Sequence, residues 1–227
     1  MSFVFAVPEP VSLAIEGSAE RFAVRRIFCV GRNYAAHAAE MGGEVDREAP
    51  FYFTKSAHAV LEGDIMPYPA GTEDLHHEVE LVVALGEGGA VWGHAVGLDM
   101  TRRDLQAAAK DKRRPWDTGK DFEGSAIIGA LRPGPLPAGG RIALDVNGAR
   151  RQEAPLTDMV WDVPSLLEHL GGLYSLAAGD ILMTGTPAGV GAVRPGDRLK
   201  ASVTGLAPLA VTIGPPGRAP QDRTSTR

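Results

Sequence analysis

The densest group of chemically useful side chains lies at residues 76–80, which read HHEVE. Side chains alternate between the two faces of a β-strand, so Glu78 and Glu80 point the same way and His76 shares their face. Two neighbouring carboxylates on a buried strand repel each other and are costly to remove from water, and a divalent cation relieves both effects. Oxygen ligands favour Mg²⁺, Mn²⁺ or Ca²⁺ over Zn²⁺. The pair therefore indicates a metal site.

An exposed strand face with two hydrated glutamates would give the same pattern. The apolar run at 81–85 favours instead a strand that is buried on both faces. Asp99 is the candidate third ligand, because it ends an apolar stretch directly before a predicted helix, although on its own such an aspartate more often caps the helix. Three carboxylates with open metal positions would form a Lewis-acid site for a substrate that carries chelating oxygen atoms.

A second group of candidate residues lies in the segment 31–40, which reads GRNYAAHAAE. On a helical turn, His37 and Glu40 are three residues apart and meet on one face. A carboxylate beside an imidazole fixes its tautomer and raises its basicity, which suits a general base that activates water. A surface His–Glu pair with no chemical role would have the same spacing.

Two further features could bind an anion. Lys120 is a lone lysine near Trp116 that could neutralise a substrate anion or simply be solvated. Residues 184–191, TGTPAGVG, offer backbone N–H groups and hydroxyls to an anion, but a tight turn between strands is the alternative. The segment lacks the Gly-Lys-Ser/Thr ending of a P-loop and does not match a dinucleotide fingerprint. Cys29, the only cysteine, lies in an apolar run typical of a core position.

Short strands and scattered helices must position these residues. Short apolar runs bounded by turn residues predict strands at 26–30, 78–85, 142–147 and 180–184, and a closing hairpin over 199–206 and 209–213. Helices are predicted at 34–41, at 101–112 with Thr101 as its cap and Asp104 as the acidic partner, and at 163–173 with Pro164 near its start. Strands dominate, which predicts an α+β, mainly β protein with antiparallel or mixed sheets.

Composition limits the possible functions. The chain has 227 residues and a net charge of −5, which argues against a general nucleic-acid or polybasic membrane binder. No apolar run approaches the length of a membrane-spanning helix, and no targeting segment is evident. A single cysteine is typical of a reducing cytoplasm. We expect one catalytic domain over residues 1–213 and a disordered tail over residues 214–227.

Together these motifs resemble the fumarylacetoacetate hydrolase family over nearly the whole chain, from Ile27 to Ile213. Five motifs occur in the expected order: CVGRNY…H…E at 29–40, LHHEVEL at 75–81, DMTRRDLQ at 99–106, PW…K at 115–120 and TGTPAGVG at 184–191. Each motif alone is weak, but five in order are specific. Within the family the sequence is most similar to the branch that hydrolyses fumarylpyruvate and other acylpyruvates.

The resemblance implies a fold of rolled mixed β-sheets with a few short helices, usually as a homodimer. It implies Mg²⁺ or Mn²⁺ held by Glu78, Glu80 and Asp99. It also implies that His37 and Glu40 form the water-activating pair, on a segment that orders as a lid over the substrate. The residues implied to contact the substrate oxygens are Arg32, Gln106, Lys120 and Thr186.

The implied activity is metal-dependent hydrolysis of the C–C bond of a 2,4-dioxo acid, with fumarylpyruvate giving fumarate and pyruvate in aromatic catabolism by the gentisate pathway. The metal and Lys120 would stabilise the enolate of pyruvate that leaves. One alternative is an oxaloacetate decarboxylase or 2-oxo acid isomerase on the same fold. Another is a metal-binding member with impaired catalysis, because Glu80 and Asp99 are only 19 positions apart where family members usually carry an extra short helix.

Overall fold

Strands make up most of the regular structure of the chain. The computed structural model describes residues 2–42, 47–135 and 139–217. The strands are β1 Ser12–Ala14, β2 Arg21–Ala23, β3 Arg26–Gly31, β4 Phe51–Lys55, β5 Ile65–Tyr68, β6 Leu75–His77, β7 Val79–Leu85, β8 Val91–Asp99, β9 Thr101–Arg102, β10 Ala126–Ile128, β11 Arg132–Pro133, β12 Arg141–Val146, β13 Ala149–Pro155, β14 Asp180–Met183, β15 Gly191–Ala192, β16 Arg198–Val203 and β17 Leu209–Pro216. The α-helices are α1 Ala35–Glu40, α2 Arg103–Asp111, α3 Asp117–Lys120 and α4 Val163–Leu173. Short 3-10 turns lie at Ala57–Ala59, Glu87–Gly89 and Leu156–Asp158.

A seven-stranded mixed sheet forms the centre of the molecule. Its strands lie in the order β10-β8-β7-β14-β3-β4, and β11 also pairs with β8. Only β14 and β3 run parallel within this sheet as described. A five-stranded sheet has the order β13-β12-β16-β17-β5, and β15-β6-β9 and β1-β2 form smaller sheets. The mixed sheets and few short helices confirm the α+β, mainly β prediction.

The middle strand of the central sheet is buried on both faces. Every residue of β7, VELVVAL, is buried, as its continuous apolar pattern predicts. On one face, Val83 belongs to the same core cluster as Leu166 of α4, and on the other, Val82 belongs to the same core cluster as Leu13 of β1. At the start of β7, Leu81 joins the core shared with the five-stranded sheet. The side chain of Glu80, the one polar residue of β7, therefore has no water to face and must find partners in the protein.

The hairpin of β7 and β8 brings the candidate ligands together. The 3-10 turn at Glu87–Gly89 closes it, so the short connection makes a tight antiparallel pair. The register places Glu80 opposite Gly97. One step further, the backbone N–H of Asp99 donates to the carbonyl oxygen of Glu78 at 2.8 Å. The hairpin thus places Asp99 beside Glu78 and Glu80 through a short connection.

Most predicted elements agree with the structure. The strands predicted at 26–30, 78–85, 142–147 and 180–184 correspond to β3, β7, β12 and β14. The predicted closing hairpin is the antiparallel pair of β16 and β17. The helix predicted at 163–173 is α4, and the side chain of Asp162 caps it by accepting from the N–H of Ser165 at 2.9 Å. Cys29 is a fully buried core residue of β3, as its apolar surroundings predict.

The predicted start of the second helix is wrong. Thr101 does not cap it but lies in β9, where it pairs with His76 of β6. The helix α2 begins two residues later, and the carboxylate of Asp104 accepts from the hydroxyl of Thr72 at 2.6 Å. Pairing with β6 satisfies backbone groups that a local cap would leave without partners. A long-range partner therefore overrides the local capping signal.

The predicted tail boundary at residue 213 is too early. The last strand, β17, continues to Pro216. Gly217 follows without regular structure, and residues 218–227 of the predicted tail lie outside the described residues. Within the described ranges, no helix has the length and apolar character needed to cross a bilayer.

Candidate active site

Three carboxylates cluster at the end of the β7–β8 hairpin. Glu78, Glu80 and Asp99 each offer an oxygen atom, and these atoms lie within 4.8 Å of one another. Glu78 stands at the junction of β6 and β7, Glu80 lies within β7, and Asp99 ends β8. All three residues are buried. Asp99 belongs to this cluster and does not cap the following helix, because α2 begins at Arg103 and the residue at its cap position is Arg102.

Three buried cations surround two of these carboxylates. Lys120 Nζ donates to Glu78 Oε2 at 2.8 Å and to Asp99 Oδ2 at 2.7 Å. Lys55 Nζ lies 2.9 Å from Asp99 Oδ1, and the guanidinium of Arg103 forms an ion pair with the carboxylate of Glu78. Of the two lysines, Lys120 was singled out from the sequence. Buried charges of opposite sign in direct contact offset much of the cost of their desolvation.

The negative charge of Glu80 is balanced by fewer nearby donors and cations than the charges of Glu78 and Asp99. Its only hydrogen-bond donor among the described residues is the backbone N–H of Gly185, at 2.8 Å from Oε2. Burial, together with the charges of Asp99 and Glu78, raises the pKa of Glu80 well above its ordinary value. Burial also acts to raise the pKa of Glu78, but the attraction of Lys120 and other nearby cations outweighs it and lowers that pKa.

The donor set fits a hard divalent cation. Carboxylate oxygens are the ligands that Mg²⁺ and Mn²⁺ prefer. Asp99 Oδ1 accepts no hydrogen bond from the described residues, because Lys55 lies near it at an angle outside hydrogen-bond geometry. Among the residues that the structure describes, Glu80 has no ion-pair partner. A cation at this point would supply the positive charge that Glu80 lacks, so Glu78, Glu80 and Asp99 are the residues that could hold a metal.

His37 and Glu40 meet on α1, as their spacing predicts. His37 Nδ1 lies 3.4 Å from Glu40 Oε2. The carboxylate of Glu40 is itself anchored, because both oxygens accept from the backbone N–H of Gly189 at 3.1 and 3.0 Å. His37 is buried, and burial lowers the pKa of its imidazole despite the opposing charges of nearby carboxylates. A neutral imidazole held by a carboxylate is in the form that can accept a proton.

The loop at 184–189 supports both groups. The backbone N–H of Gly185 donates to Glu80, and that of Gly189 donates to Glu40. The predicted anion-holding loop therefore holds carboxylates of the protein itself. Gly185 and Gly189 have φ values of 96° and 95°, in the left-handed region that favours glycine. A Cβ at Gly189 would lie 2.0 Å from a backbone carbonyl oxygen, so the close approach of the loop also requires glycine there.

Four residues implied to contact substrate line one cleft. The cleft has a volume of about 30 Å³. Its lining includes Arg32, Gln106, Lys120 and Thr186, together with His37, Glu78 and Glu80. Asp99 lies behind this surface and is fully buried. The structure thus places every site residue singled out from the sequence in or directly behind one cleft, apart from Glu40, which contacts it through His37. Their roles in a reaction stay predictions.

Gln152 connects the loop at 184–189 to the start of β7 and was not predicted. Its Nε2 donates to the hydroxyl of Thr186 at 2.8 Å, and its Oε1 accepts from the backbone N–H of Val79 at 3.1 Å. His77 Nδ1 also lies 3.0 Å from that oxygen. Gln152 is 73 residues from Val79 in sequence. Motif spacing carries no signal over that distance, so only the fold shows this contact.

Lys55 and Arg103 were also not predicted as site residues, although the sequence around each one is unusual. Lys55 ends β4, and a lysine at the end of the aromatic run FYFTK is unusual unless a buried acid pairs with it. Arg103 is the first residue of α2, where a cation is disfavoured by the helix dipole unless another charge holds it. Both features indicated a buried anion nearby, and both side chains contact the carboxylate cluster.

Comparison with protein families places this site in a known group. The family model described as fumarylacetoacetate (FAA) hydrolase C-terminal matches residues 26–214. The chain belongs to the fumarylacetoacetate hydrolase family. Among curated family members, fumarylpyruvate hydrolase from Ralstonia sp is 43% identical over 190 residues, which cover 77% of this chain and 99% of that protein. Mitochondrial oxaloacetate tautomerase from Homo sapiens is 37% identical over 205 residues, covering 85% of this chain and 93% of that one.

Solved structures of family members share the fold. Fumarylpyruvate hydrolase from Pseudomonas aeruginosa, in complex with Mn²⁺ and pyruvate, superposes with a TM-score of 0.90 at 44% identity, covering 94% of this chain and 99% of that one. The 5-carboxymethyl-2-hydroxymuconate delta-isomerase from Mycobacterium smegmatis has a TM-score of 0.75 at 30% identity, covering 87% and 82% of the two chains. These similarities confirm the fold and family expected from the five motifs.

Proposed function

We propose that the protein is a metal-dependent hydrolase of acylpyruvates that converts fumarylpyruvate to fumarate and pyruvate. The observation that carries the proposal is an imidazole held by a carboxylate in the same cleft as a buried set of candidate metal ligands. His37, oriented by Glu40, lines that cleft with Glu78, Glu80 and Lys120. The similarity to fumarylpyruvate hydrolases over most of the chain supports the same substrate.

The reaction requires charge stabilisation at the 2-oxo acid end of the substrate. Mg²⁺ or Mn²⁺ held by Glu78, Glu80 and Asp99 would supply it as a Lewis acid. Lys120 presents an ammonium group at the floor of the same cleft and adds a donor toward the developing negative charge. Arg32, Gln106 and Thr186 line the walls and bind the remaining substrate oxygens.

His37 moves the protons of the reaction. It takes a proton from water, and the water oxygen bonds to the carbonyl carbon of the acyl group. The bond from that carbon to the methylene group then breaks, and its electron pair forms the enolate of pyruvate. The proton on His37 returns to the methylene carbon and yields pyruvate. Glu40, anchored by Gly189, keeps the ring oriented and stabilises its charged form between these steps.

Turnover of fumarylpyruvate by the purified protein tests the proposal. With Mg²⁺ or Mn²⁺ present, we expect loss of the enol absorbance and release of fumarate and pyruvate in equal amounts. Addition of EDTA should stop both. A metal-loaded protein that leaves fumarylpyruvate unchanged would contradict the proposal, and tight metal binding without turnover of any 2-oxo or 2,4-dioxo acid would favour the metal-binding member with impaired catalysis.

A second candidate function is isomerisation or decarboxylation of oxaloacetate. The similarity to oxaloacetate tautomerases and to an oxaloacetate decarboxylase from Dictyostelium discoideum favours it. That chemistry needs the metal and Lys120 but less of the water-activating pair. His37→Ala should therefore abolish hydrolysis of fumarylpyruvate and leave conversion of oxaloacetate largely intact, if the protein has it. Full hydrolysis by this variant would overturn the role of His37.

We further propose a cytoplasmic homodimer with a single catalytic domain, acting in aromatic catabolism by the gentisate pathway. Its only cysteine, Cys29, is buried and unpaired, which suits a reducing compartment. Light scattering on the purified protein tests the assembly, and a monomer mass at working concentration would contradict it. Growth on gentisate of cells that lack the protein tests the pathway, because unimpaired growth would exclude an essential role.

A further inference from the structure

The outer part of the cleft carries a lysine that the proposed reaction does not use. Lys110 lies on α2, half-buried, and lines the cleft with Arg32. Within the described ranges, neither side chain forms an ion pair with a carboxylate or donates a hydrogen bond to a protein acceptor. Arg32 adopts φ 60°, an uncommon backbone conformation for a residue other than glycine. Two cations without anionic partners share one concave surface.

An aromatic wall separates this part of the cleft from its floor. Phe53 and Trp116 pack with ring centroids 5.9 Å apart. Lys120 Nζ, at the floor, lies 5.0 Å from the centroid of Phe53, whereas Lys110 Nζ lies 4.8 Å from the centroid of Trp116. The cleft therefore presents one ammonium group beside each of two aromatic rings, whose planes are inclined at 53° to each other. This arrangement suits an elongated molecule with an anion at both ends and an apolar section between them.

The charges around Lys110 also favour an added anion. Burial, and then the positive charges of Arg103 and Arg32, lower the pKa of Lys110 to about 8. Glu78 acts in the opposite direction, and Lys120 adds to the repulsion. An anion bound beside Lys110 would relieve this repulsion, and its presence would raise the pKa again.

We infer that Lys110, together with Arg32, binds the distal carboxylate of the substrate, while Trp116 and Phe53 contact the planar acyl chain. The inference rests on the proposed function and narrows its substrate class to acylpyruvates whose acyl group ends in a carboxylate. A charge-assisted hydrogen bond in a partly buried site favours such a substrate over one that ends in an alkyl group.

Two substrates that differ in the distal carboxylate test this inference. Fumarylpyruvate has that carboxylate, and acetylpyruvate lacks it. In Lys110→Met, we expect kcat/KM for fumarylpyruvate to fall about 10- to 100-fold, while the value for acetylpyruvate changes less than about 2-fold. Lys110→Arg keeps the charge and should retain most of the activity. Lys112→Met, which removes an exposed lysine at the end of α2, is the matched control and should change neither value.

An equal loss with both substrates would overturn the inference, because Lys110 would then serve the 2-oxo acid end or the packing of α2. Calorimetric titration with fumarate and with pyruvate provides a readout that needs no turnover. Weaker binding of fumarate alone in Lys110→Met supports the distal site, and unchanged fumarate binding contradicts it. If the wild-type protein hydrolyses neither acylpyruvate, the proposed function fails, and the fumarate titration still decides whether Lys110 binds the carboxylate.

Discussion

Burial has opposite consequences for the acids and bases of the cleft. It lowers the pKa of His37 and raises the pKa of Glu80, because each loses the water that stabilises its charged form. A lower pKa favours the neutral imidazole, which is the form that could accept a proton from water. A higher pKa means that the charged carboxylate of Glu80 gains more from a nearby cation, as a metal ligand would. Exclusion of water thus shifts the pKa values of both the candidate base and the candidate metal ligand in the direction that their proposed roles need.

Replacement of the imidazole tests the proton-transfer role. In His37→Ala, kcat for fumarylpyruvate should fall about 100- to 10,000-fold, because general-base catalysis is worth that much. In Glu40→Gln the fall should be smaller, since the ring remains in place. Steady-state kinetics with saturating Mn²⁺ measures both. His58→Ala removes an exposed histidine outside the cleft and should leave kcat unchanged, and Mn²⁺ affinity should be equal in all variants.

The pH dependence of the reaction should reflect the lowered pKa of His37. Its ordinary value is 6.5, and burial lowers it although Glu78 and Glu40 act to raise it. A base works when unprotonated, so activity is present above its pKa and lost as the pH falls through it. The acid limb of kcat/KM should therefore have its inflection below pH 6.5. Measurement from pH 5 to 8 at saturating metal checks this, and an inflection above pH 6.5 would contradict it.

Sequence spacing predicts the residues that act locally and misses those that act at a distance. Glu78 and Glu80 are two residues apart, which places them on one face of extended chain, and the spacing of His37 and Glu40 fits one helical turn. Each pair is therefore visible in a few consecutive residues. Gln152 contacts Val79 although 73 residues separate them in sequence, and no local sequence pattern predicts such a contact.

At the scale of elements, the loop at 184–189 depends on glycine at its end. A Cβ at Gly189 would lie 2.0 Å from the carbonyl oxygen of Arg151. Gly189→Ala should therefore destabilise the fold by about 2 to 4 kcal/mol, from left-handed backbone strain together with overpacking. It should also lower kcat, because the donor that anchors Glu40 moves. Urea unfolding and steady-state kinetics measure the two effects.

Gly196→Ala is the matched control for that variant. Gly196 has φ 94°, almost the same as Gly189, but no atom lies within 4 Å of its added Cβ. Backbone strain alone should then cost about 1 to 2 kcal/mol and leave kcat unchanged. Equal destabilisation by the two substitutions would show that the close approach to Arg151 contributes nothing.

The elements themselves follow from sequence where local signals and tertiary pairing agree. The helix α4 has Asp162 as its cap and a proline in its first turn, and its predicted bounds are those observed. At α2 the two signals disagree. Thr101 has the sequence of a cap but pairs with His76 as a strand, because β6 supplies backbone partners that the local pattern does not reveal.

At the scale of the whole molecule, metal binding should stabilise the fold. A ligand that binds only the native state raises its stability by about 2.7 kcal/mol at a hundredfold excess over Kd. Mn²⁺ should therefore raise the unfolding temperature, and EDTA should reverse the change. In Glu80→Gln the metal-induced shift should be lost or much reduced, because one ligand is gone. Thermal unfolding followed by circular dichroism measures the shift.

Glu87→Gln is the control for surface charge, since Glu87 is an exposed glutamate in the turn between β7 and β8. It should keep the full shift with Mn²⁺. A shift of the same size in Glu80→Gln and Glu87→Gln would mean that the metal binds elsewhere on the protein.

The order of five motifs was sufficient to predict the fold class, but only the structure shows which strands pair in each sheet. The central sheet joins β3 to β14 in parallel, although more than a hundred residues separate them. Asn33 joins the start of α1 to Thr184 over a separation of 151 residues. Such pairings depend on which surfaces meet in the folded chain, so the alternation of apolar residues within one strand does not specify them.

The loop at 184–189 has a thermodynamic consequence for how the enzyme fills its site. It donates to Glu80 through Gly185 and to Glu40 through Gly189, so one short segment supports both the ligand set and the helix α1. A cation that binds Glu80 would stabilise the loop position that also holds Glu40, and an ordered α1 would in turn strengthen cation binding by the same factor, because linkage is reciprocal. Metal and organic substrate would then bind cooperatively even where they do not touch each other.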